Sequence, residues 1–96
     1  MTRPWTFLSA HGHVLLAIAR DPDARLRDIA AEVGVTERTV AMIVGDLVVA
    51  GYLTKRRTGR RNHYDLRPEL PLRHPQQHDV DTGALLRLLA SPPAQS

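Results

Sequence analysis

Apolar residues in the first half of the chain recur with the spacing of an α-helix in three successive segments. The first helix is predicted to begin at Ser9 or Ala10 and to end near Arg20, because Pro22 disfavours helical geometry in the residue before it. The second helix is predicted at 27–33 and the third at 37–50, followed by Gly51. The pattern therefore predicts three short helices within the first 50 residues.

The join between the second and third predicted helices has the features of a helix-turn-helix. Ala30 is small where two helices would cross closely, and Gly34 stands where the chain must turn with positive φ, which glycine adopts without a Cβ penalty. Thr36 supplies a capping hydroxyl for the third helix. The positions that must face a common core are apolar: Ile29, Val33, Val35, Val40 and Ile43. A helix presented in this way has an exposed face of the right size for the major groove of DNA.

A hairpin signal follows this helix pair. The strand-like runs 52–56 and 63–67 flank a polar turn that contains Gly59. The resulting motif, LxxIAxxVGVTxRTVxxIVxDLxxAGYLxxRRxGRRNxY, lies within about 12–66 and resembles the small single-domain transcription regulators related to MarR-like and ArsR-like repressors. The resemblance implies a mainly α fold with a small β-hairpin (α+β), which is a winged helix-turn-helix with an additional C-terminal helix.

Segments on both sides of this core complete the predicted organisation. An N-terminal arm (1–8) precedes the DNA-binding domain (9–66), and a Pro-rich extended linker (67–78) leads to a final helix (79–90) and a disordered tail (91–96). The final helix either packs on the first helix or forms a homodimer interface, and its leucines exceed what one small domain can cover. The arm aromatics either pack locally or join that interface. The predicted dimer residues are Trp5, Phe7, Leu85, Leu86, Leu88 and Leu89.

Charge is concentrated in the predicted wing. The chain has 13 Lys and Arg against 10 Asp and Glu, a net charge of +3. Within 52–64 there are 5 basic residues and no acidic one, whereas the other 83 residues carry 8 basic and 10 acidic side chains. A localised basic patch is typical of a protein that binds a polyanion. The alternative is a solvated hairpin whose charges only prevent aggregation at the strand edges.

The residues predicted to touch DNA lie on the third helix and on the wing. They are Thr36, Glu37, Arg38, Thr39, Ala41 and Met42 on the helix, and Lys55, Arg56, Arg57, Arg60, Arg61 and Asn62 on the wing. Arg38 either pairs with the O6 and N7 atoms of a guanine or makes an ion pair or a phosphate contact. Ala41, Met42 and Gly45 depart from the family pattern, in which these positions are more often polar or basic. Direct base readout is therefore predicted to be sparse, with a larger part for DNA shape.

The sequence gives less support for an enzyme or a metalloprotein than for a DNA-binding protein. Ser9, His11 and His13 are interpreted as a helix cap and solvated side chains, so no catalytic constellation is predicted. The chain has no cysteine, which excludes disulfides and thiolate zinc sites. His11-x-His13 could bind a metal only in an extended segment, and His74-x3-His78 has helical spacing but contains Pro75, which argues against a helix. The spacing does not match the metal sites of metal-responsive relatives, and no carboxylates cluster with the histidines. Neither a metal nor a cofactor is predicted.

The predicted protein is a cytoplasmic, homodimeric transcription regulator that binds double-stranded DNA, and repression is favoured because of the resemblance. No signal peptide or membrane span is predicted, and nothing in the sequence identifies a pocket for a small-molecule effector. Two alternatives stay open. One is a non-specific architectural DNA-binding protein. The other is a protein-interaction module, in which Met42, Val48 and Val49 would pack on another protein.

Overall fold

The computed structural model describes residues 5–89, which fold into four α-helices, one antiparallel hairpin and a single 3₁₀ turn. The elements in chain order are α1 (Ala10–Arg20), α2 (Leu26–Val33), α3 (Glu37–Val49), β1 (Leu53–Thr58), β2 (Arg61–Leu66), the 3₁₀ turn (Pro75–Gln77) and α4 (Thr82–Leu89). The predicted α+β class, mainly helical with one small hairpin, is confirmed.

The turn between α2 and α3 is fixed by short-range hydrogen bonds. Gly34 ends α2 with φ of 88°, and the backbone N–H groups of Gly34 and Val35 both donate to the carbonyl of Ala30, at 2.8 and 3.1 Å. Thr36 then caps α3, since its hydroxyl accepts the backbone N–H of Thr39 at 3.1 Å. These local interactions set the angle between the two helices of the helix-turn-helix.

One hydrophobic core lies beneath these helices and the base of the hairpin. α1 contributes a nearly continuous buried run, whereas α2 and α3 contribute one face each. The buried apolar residues are Val14, Leu15, Leu16, Ala17, Ile18, Ile29, Ala30, Val40, Ile43, Val44, Leu47, Tyr52, Leu53, Tyr64 and Leu86. Burial of this apolar surface is the main force that holds α3 in place, since each buried aliphatic side chain contributes about 1.5–3 kcal/mol.

The wing is the hairpin formed by β1 and β2. Thr58 pairs with Arg61, so that only Gly59 and Arg60 form the turn, and Gly59 has the positive φ (62°) that the first position of a type II′ turn requires. Side chains alternate between the two faces of the hairpin, which places Arg56 and Arg57 on opposite faces.

The predicted extended linker (67–78) is instead folded against the domain. The Tyr52 hydroxyl donates a hydrogen bond to the carbonyl of Pro71, and the Leu72 N–H donates to the carbonyl of Val80 at 3.0 Å. Pro71 also forms an isolated β-bridge with Asp81. Pro71 lacks an N–H group but keeps its carbonyl, and this carbonyl accepts the bond from Tyr52.

The final helix begins at Thr82 and not at 79. Both the backbone N–H and the hydroxyl of Thr82 donate to the carbonyl of Leu70 at 2.7 Å, and the Asp81 carboxylate accepts the N–H of Ala84 at 2.7 Å. The prediction of Leu86 as a dimer residue needs correction, because Leu86 is buried in the core of its own chain and α4 packs on α1. The predicted tail (91–96) and residues 1–4 of the arm lie outside the described residues.

None of the helices in the described part of the chain is long and apolar enough to cross a membrane.

Candidate nucleic-acid interface

The recognition candidate, α3, is anchored by one face and exposed on the other. Its buried face consists of Val40, Ile43, Val44 and Leu47. Of the residues predicted to touch DNA, Thr36, Glu37, Arg38, Ala41 and Met42 are exposed. Thr39 is half-buried, with its hydroxyl 3.0 Å from that of Thr36. Sequence periodicity therefore separated the two faces of this helix correctly.

The centre of the exposed face of α3 is the outer stripe, which consists of Arg38, Met42, Gly45 and Val49. These residues follow the i, i+4, i+7, i+11 spacing that places side chains in one line along a helix. Met42 is 57% and Val49 is 89% exposed. The Arg38 side chain makes no hydrogen bond or ion pair with any residue from 5 to 89. The stripe is therefore apolar with one free cation near its N-terminal end.

No residue from 5 to 89 requires a glycine at position 45. A Cβ atom built on Gly45 would meet nothing within 4 Å, and its φ lies in the ordinary helical range. A glycine inside a helix nevertheless costs about 1 kcal/mol relative to alanine. The missing side chain thus leaves open space in front of α3 that the described residues do not fill.

Arg56 of the wing is neutralised by a carboxylate of its own hairpin. Its guanidinium donates two hydrogen bonds to Asp65, with Nε 2.6 Å and Nη2 3.2 Å from the carboxylate oxygens. The hydrogen bond from Arg56 lowers the pKa of Asp65, and the same bond raises the pKa of Arg56. Asp65 therefore compensates the positive charge of Arg56, a predicted DNA contact, and Arg56 should attract a phosphate less strongly than an unpaired cation of the wing does.

A second group of contacts ties the wing to the loop between α1 and α2. His63 Nδ1 lies 2.6 Å from the Asp23 carboxylate, and His63 Nε2 lies 3.3 Å from that of Asp65. Arg61 donates to the backbone carbonyl of Asp23 at 2.5 Å. The backbone N–H of Tyr64 donates to the carbonyl of Pro22 at 3.0 Å. These contacts fix the angle at which the wing leaves the domain.

The remaining wing cations are more available. Lys55 and Arg60 make no hydrogen bond or ion pair within the described part of the chain, and both are exposed. The Arg57 Nε donates only to the nearby carbonyl of Gly59, at 3.3 Å. Lys55 and the half-buried Asn62 line a groove of about 320 Å³ whose opposite wall is α3. Lys55 of the wing and the exposed face of α3 therefore border the same space.

Sequence reasoning missed Asp23, His63 and Asp65 as residues that position the wing. A signal for Asp65 existed, because a two-residue turn at Gly59 fixes the register and places Asp65 diagonally opposite Arg56 on the same face. No comparable signal identified Asp23, which meets His63 only through the tertiary fold. A similar long-range contact joins α1 to the flank of α3, where His11 Nε2 lies 2.8 Å from the Asp46 carboxylate.

The predicted dimer residues, Leu86 excepted, lie at or near the surface. Trp5 and Phe7 are 71% and 93% exposed, and their rings contact each other edge to face with centroids 5.1 Å apart. In α4, Leu88 is 78% exposed, Leu89 is 38% exposed and Leu85 is half-buried. The arm aromatics therefore pack on each other and not into the core of the chain.

A second groove, of about 610 Å³, lies at the junction of the arm, α1, α2 and the end of α4. His13 lies in its wall with a buried Nε2 atom that has no hydrogen-bond partner among residues 5–89. Arg20 borders the same groove, where it donates to the carbonyl of Leu89 at 3.1 Å and lies 3.8 Å from Glu32. The groove thus combines apolar walls with His13, Arg20 and the carboxylate of Glu32.

Comparison with known proteins connects this geometry to one family. The sequence profile of the MarR family matches residues 6–61. The PcaV transcriptional regulator from Streptomyces coelicolor, solved in complex with its natural ligand, is 32% identical over 65% of this chain and 46% of that chain, with a TM-score of 0.56. A second PcaV structure is 32% identical over 62% of this chain and 46% of that chain, with a TM-score of 0.53. The matched part of this chain thus spans less than half the length of PcaV. A comparison with curated proteins found no match.

Proposed function

The chain belongs to the MarR family, and on that premise we propose that it is a transcription regulator that binds specific sites in double-stranded DNA. In this proposal α3 enters the major groove and the wing lies along the backbone or in the adjacent minor groove. The relatives in the comparison are transcription regulators and not enzymes, which agrees with the function class expected from the sequence.

One observation carries the proposal. The free cations Arg38, Lys55 and Arg60 belong to two elements that border one groove, with no internal partner between residues 5 and 89. Cations left unpaired at a shared surface fit the closely spaced phosphates of a duplex. An α-helix about 10–12 Å across also fits a major groove about 12 Å wide.

The decisive experiment is selection of binding sites from a random DNA pool, followed by titration of the selected site at several salt concentrations. We expect an enriched sequence and an affinity that falls steeply with salt, because bound cations release counterions from the phosphates. The double variant Lys55→Glu and Arg60→Glu should abolish binding, whereas Arg73→Glu, which reverses an exposed charge beyond the wing, serves as the matched control. An affinity that falls steeply with salt, without any sequence being enriched in the selection, would support the architectural alternative instead.

We further propose that the regulator acts as a homodimer. The exposed aromatics Trp5 and Phe7 and the exposed side chain of Leu88 support this, since apolar surface of this kind is typical of an interface. Thr6 and Leu8 of the arm and Leu89 of α4 border one groove, so the arm and the end of α4 lie close together. A two-fold dimer would match a pseudo-palindromic DNA site.

Sedimentation of the purified protein tests the dimer. Leu88→Asp should shift the chain to a monomer, because a carboxylate would be desolvated in an apolar interface. Val49→Asp introduces the same change at an exposed position of α3 and should leave the oligomeric state unaltered. A monomeric wild-type protein at all concentrations would contradict the proposal. Repression is the proposed outcome of binding, since a bound dimer covers DNA that RNA polymerase needs.

A small-molecule effector is a second element of the proposal. The buried, unpartnered Nε2 of His13 favours a ligand with a polar group and an apolar body in the 610 Å³ groove. An anionic group on this ligand would compete with Glu32 for Arg20. Benzoate is a suitable probe. We expect it to raise the melting temperature of the wild-type protein and not that of His13→Phe, and to weaken binding to the selected DNA site. Equal thermal shifts in both proteins would place benzoate elsewhere.

A further inference from the structure

The outer stripe of α3 presents an unusual surface for a helix that reads DNA. Most groups that bases display in the major groove are hydrogen-bond donors and acceptors, and the stripe offers only Arg38 to meet them. The apolar group displayed there is the 5-methyl of thymine. Met42 is 57% exposed, and methionine is a flexible, polarizable side chain that adapts to irregular apolar surfaces. The stripe therefore matches methyl groups better than it matches polar base edges.

The spacing of Arg38 and Met42 along the stripe fits two bases that lie about two steps apart. Arg38 and Met42 are separated by about 6 Å along the helix axis, at about 1.5 Å per residue. Bases stack about 3.4 Å apart, so Met42 reaches a base roughly two steps from the base that Arg38 meets. A site read in this way contains a guanine and a thymine at a fixed short separation.

Gly45 supplies the close approach that a methyl contact needs. Dispersion attraction falls off within about 1 Å of the optimal separation, so a helix held away from the bases gains nothing from an apolar contact. The space in front of Gly45 is open, and no described residue requires the glycine. A glycine at this position is explained if a second molecule occupies that space.

We propose that Met42 selects thymine by packing on its 5-methyl group, and that Gly45 lets α3 approach closely enough for this contact. The inference rests on the proposed function, because it applies only when α3 lies in the major groove. An apolar protein surface is the competing occupant. It is disfavoured because Arg38, at the end of the same stripe, and Lys55, across the groove, would be covered by an apolar partner without a counter-charge.

Replacing thymine by deoxyuridine tests the proposal on the wild-type protein. Deoxyuridine removes only the 5-methyl group and keeps base pairing. In the site selected from the random pool, each thymine is replaced in turn and the affinity is measured. We expect a loss of about fourfold at one position in each half-site, the effect of one buried methyl group, and no change at thymines that do not face α3.

Met42→Ala identifies the residue that makes the contact. In this variant the thymine and deoxyuridine duplexes should bind with equal affinity, because the side chain that senses the methyl group is gone. Val80→Ala, which truncates a comparably exposed aliphatic residue before α4, is the matched control and should keep the fourfold difference. Equal discrimination in wild type and Met42→Ala would overturn the assignment to Met42.

Gly45→Ala tests the close approach. We expect a higher melting temperature, because the new Cβ meets open space and alanine favours the helix. Affinity for the selected site should fall by roughly fivefold or more, the effect of one methyl group inserted into a packed contact. Unchanged affinity in this variant would overturn the role given to Gly45.

The outcomes separate this inference from the proposed function. Salt-dependent, sequence-selective binding without any loss on deoxyuridine replacement would overturn the methyl contact and leave the regulator intact. Absence of DNA binding, or binding that does not respond to salt, would overturn both and would favour a protein partner for the stripe.

Discussion

The recognition helix and the wing meet the same proposed ligand but are built in opposite ways. α3 is held from below by fully buried side chains such as Val40 and Ile43, and its outer stripe carries a single cation. The wing has little buried surface beyond its base and is held by ion pairs and hydrogen bonds at the surface, which involve Arg56, Arg61 and His63. The core thus holds α3 in position, whereas polar contacts at the surface hold the wing.

Because they are held in different ways, we expect α3 and the wing to contribute differently to DNA binding. Exposed ion pairs contribute little to stability and weaken with salt, so the wing adapts to its surroundings more easily than α3 does. Its cations outnumber those of α3, so most of the salt-dependent affinity should come from the wing. In the proposed complex we assign base selection to α3, because its backbone is the more rigidly placed of the two.

The largest effect on stability is expected from a substitution on the buried face of α3. Ile43 is 1% exposed, and Ile43→Ala should lower the free energy of unfolding by about 2–5 kcal/mol, since it removes buried methyl groups and leaves a cavity. Urea denaturation measures this loss. Val49→Ala, on the exposed side of the same helix, should change stability by no more than about 0.5 kcal/mol. Similar losses in both variants would contradict the division into a buried and an exposed face.

A smaller effect is expected for base readout. Arg38→Ala should weaken binding to the selected site by about 1–3 kcal/mol, mainly at one base position, because Arg38 is free to form a bidentate contact with guanine. Affinities for a set of single-base site variants measure this. A uniform loss across all variants would instead assign Arg38 to a phosphate.

The wing cations should differ in how much each contributes to the salt dependence of DNA binding. Arg60→Ala should reduce the slope of log affinity against log salt by about one unit, because Arg60 has no partner among the described residues. Arg56→Ala should reduce it less, because Asp65 already neutralises Arg56. Salt titrations of both variants make the comparison. Equal reductions would mean that Arg56 exchanges Asp65 for a phosphate when DNA binds.

The smallest effect concerns pH. The hydrogen bond from Arg56 lowers the pKa of Asp65 below its ordinary value of 3.8, so the folded state favours the ionised carboxylate. The stability from this pair is fully present above the ordinary pKa and is lost as the pH falls through the lowered pKa of the folded state. Melting temperatures between about pH 7 and about pH 2 should therefore fall slightly less for Asp65→Asn than for wild type. Identical acid profiles would show that the pair adds nothing to stability.

Most of the helix-turn-helix could be predicted from sequence because it depends on local rules. Gly34, Thr36 and Gly59 each occupy a position whose backbone geometry or capping bond demands that residue type. The apolar period of α3 separated its faces for the same reason. The predicted start of α4 at 79 was wrong by 3 residues, because the bonds from Thr82 to Leu70 that fix it cross the folded Pro-rich segment.

The sequence by itself determined which residues form the first three helices, where the chain turns between them and where positive charge accumulates, since each depends on neighbours within a few positions. Only the tertiary structure decided how those charges are used. It paired Arg56 with Asp65 and His63 with Asp23, left Lys55 and Arg60 free, and buried Leu86 against α1. Such partners are set by strand register and by contacts between distant segments. Periodicity carries no information about them.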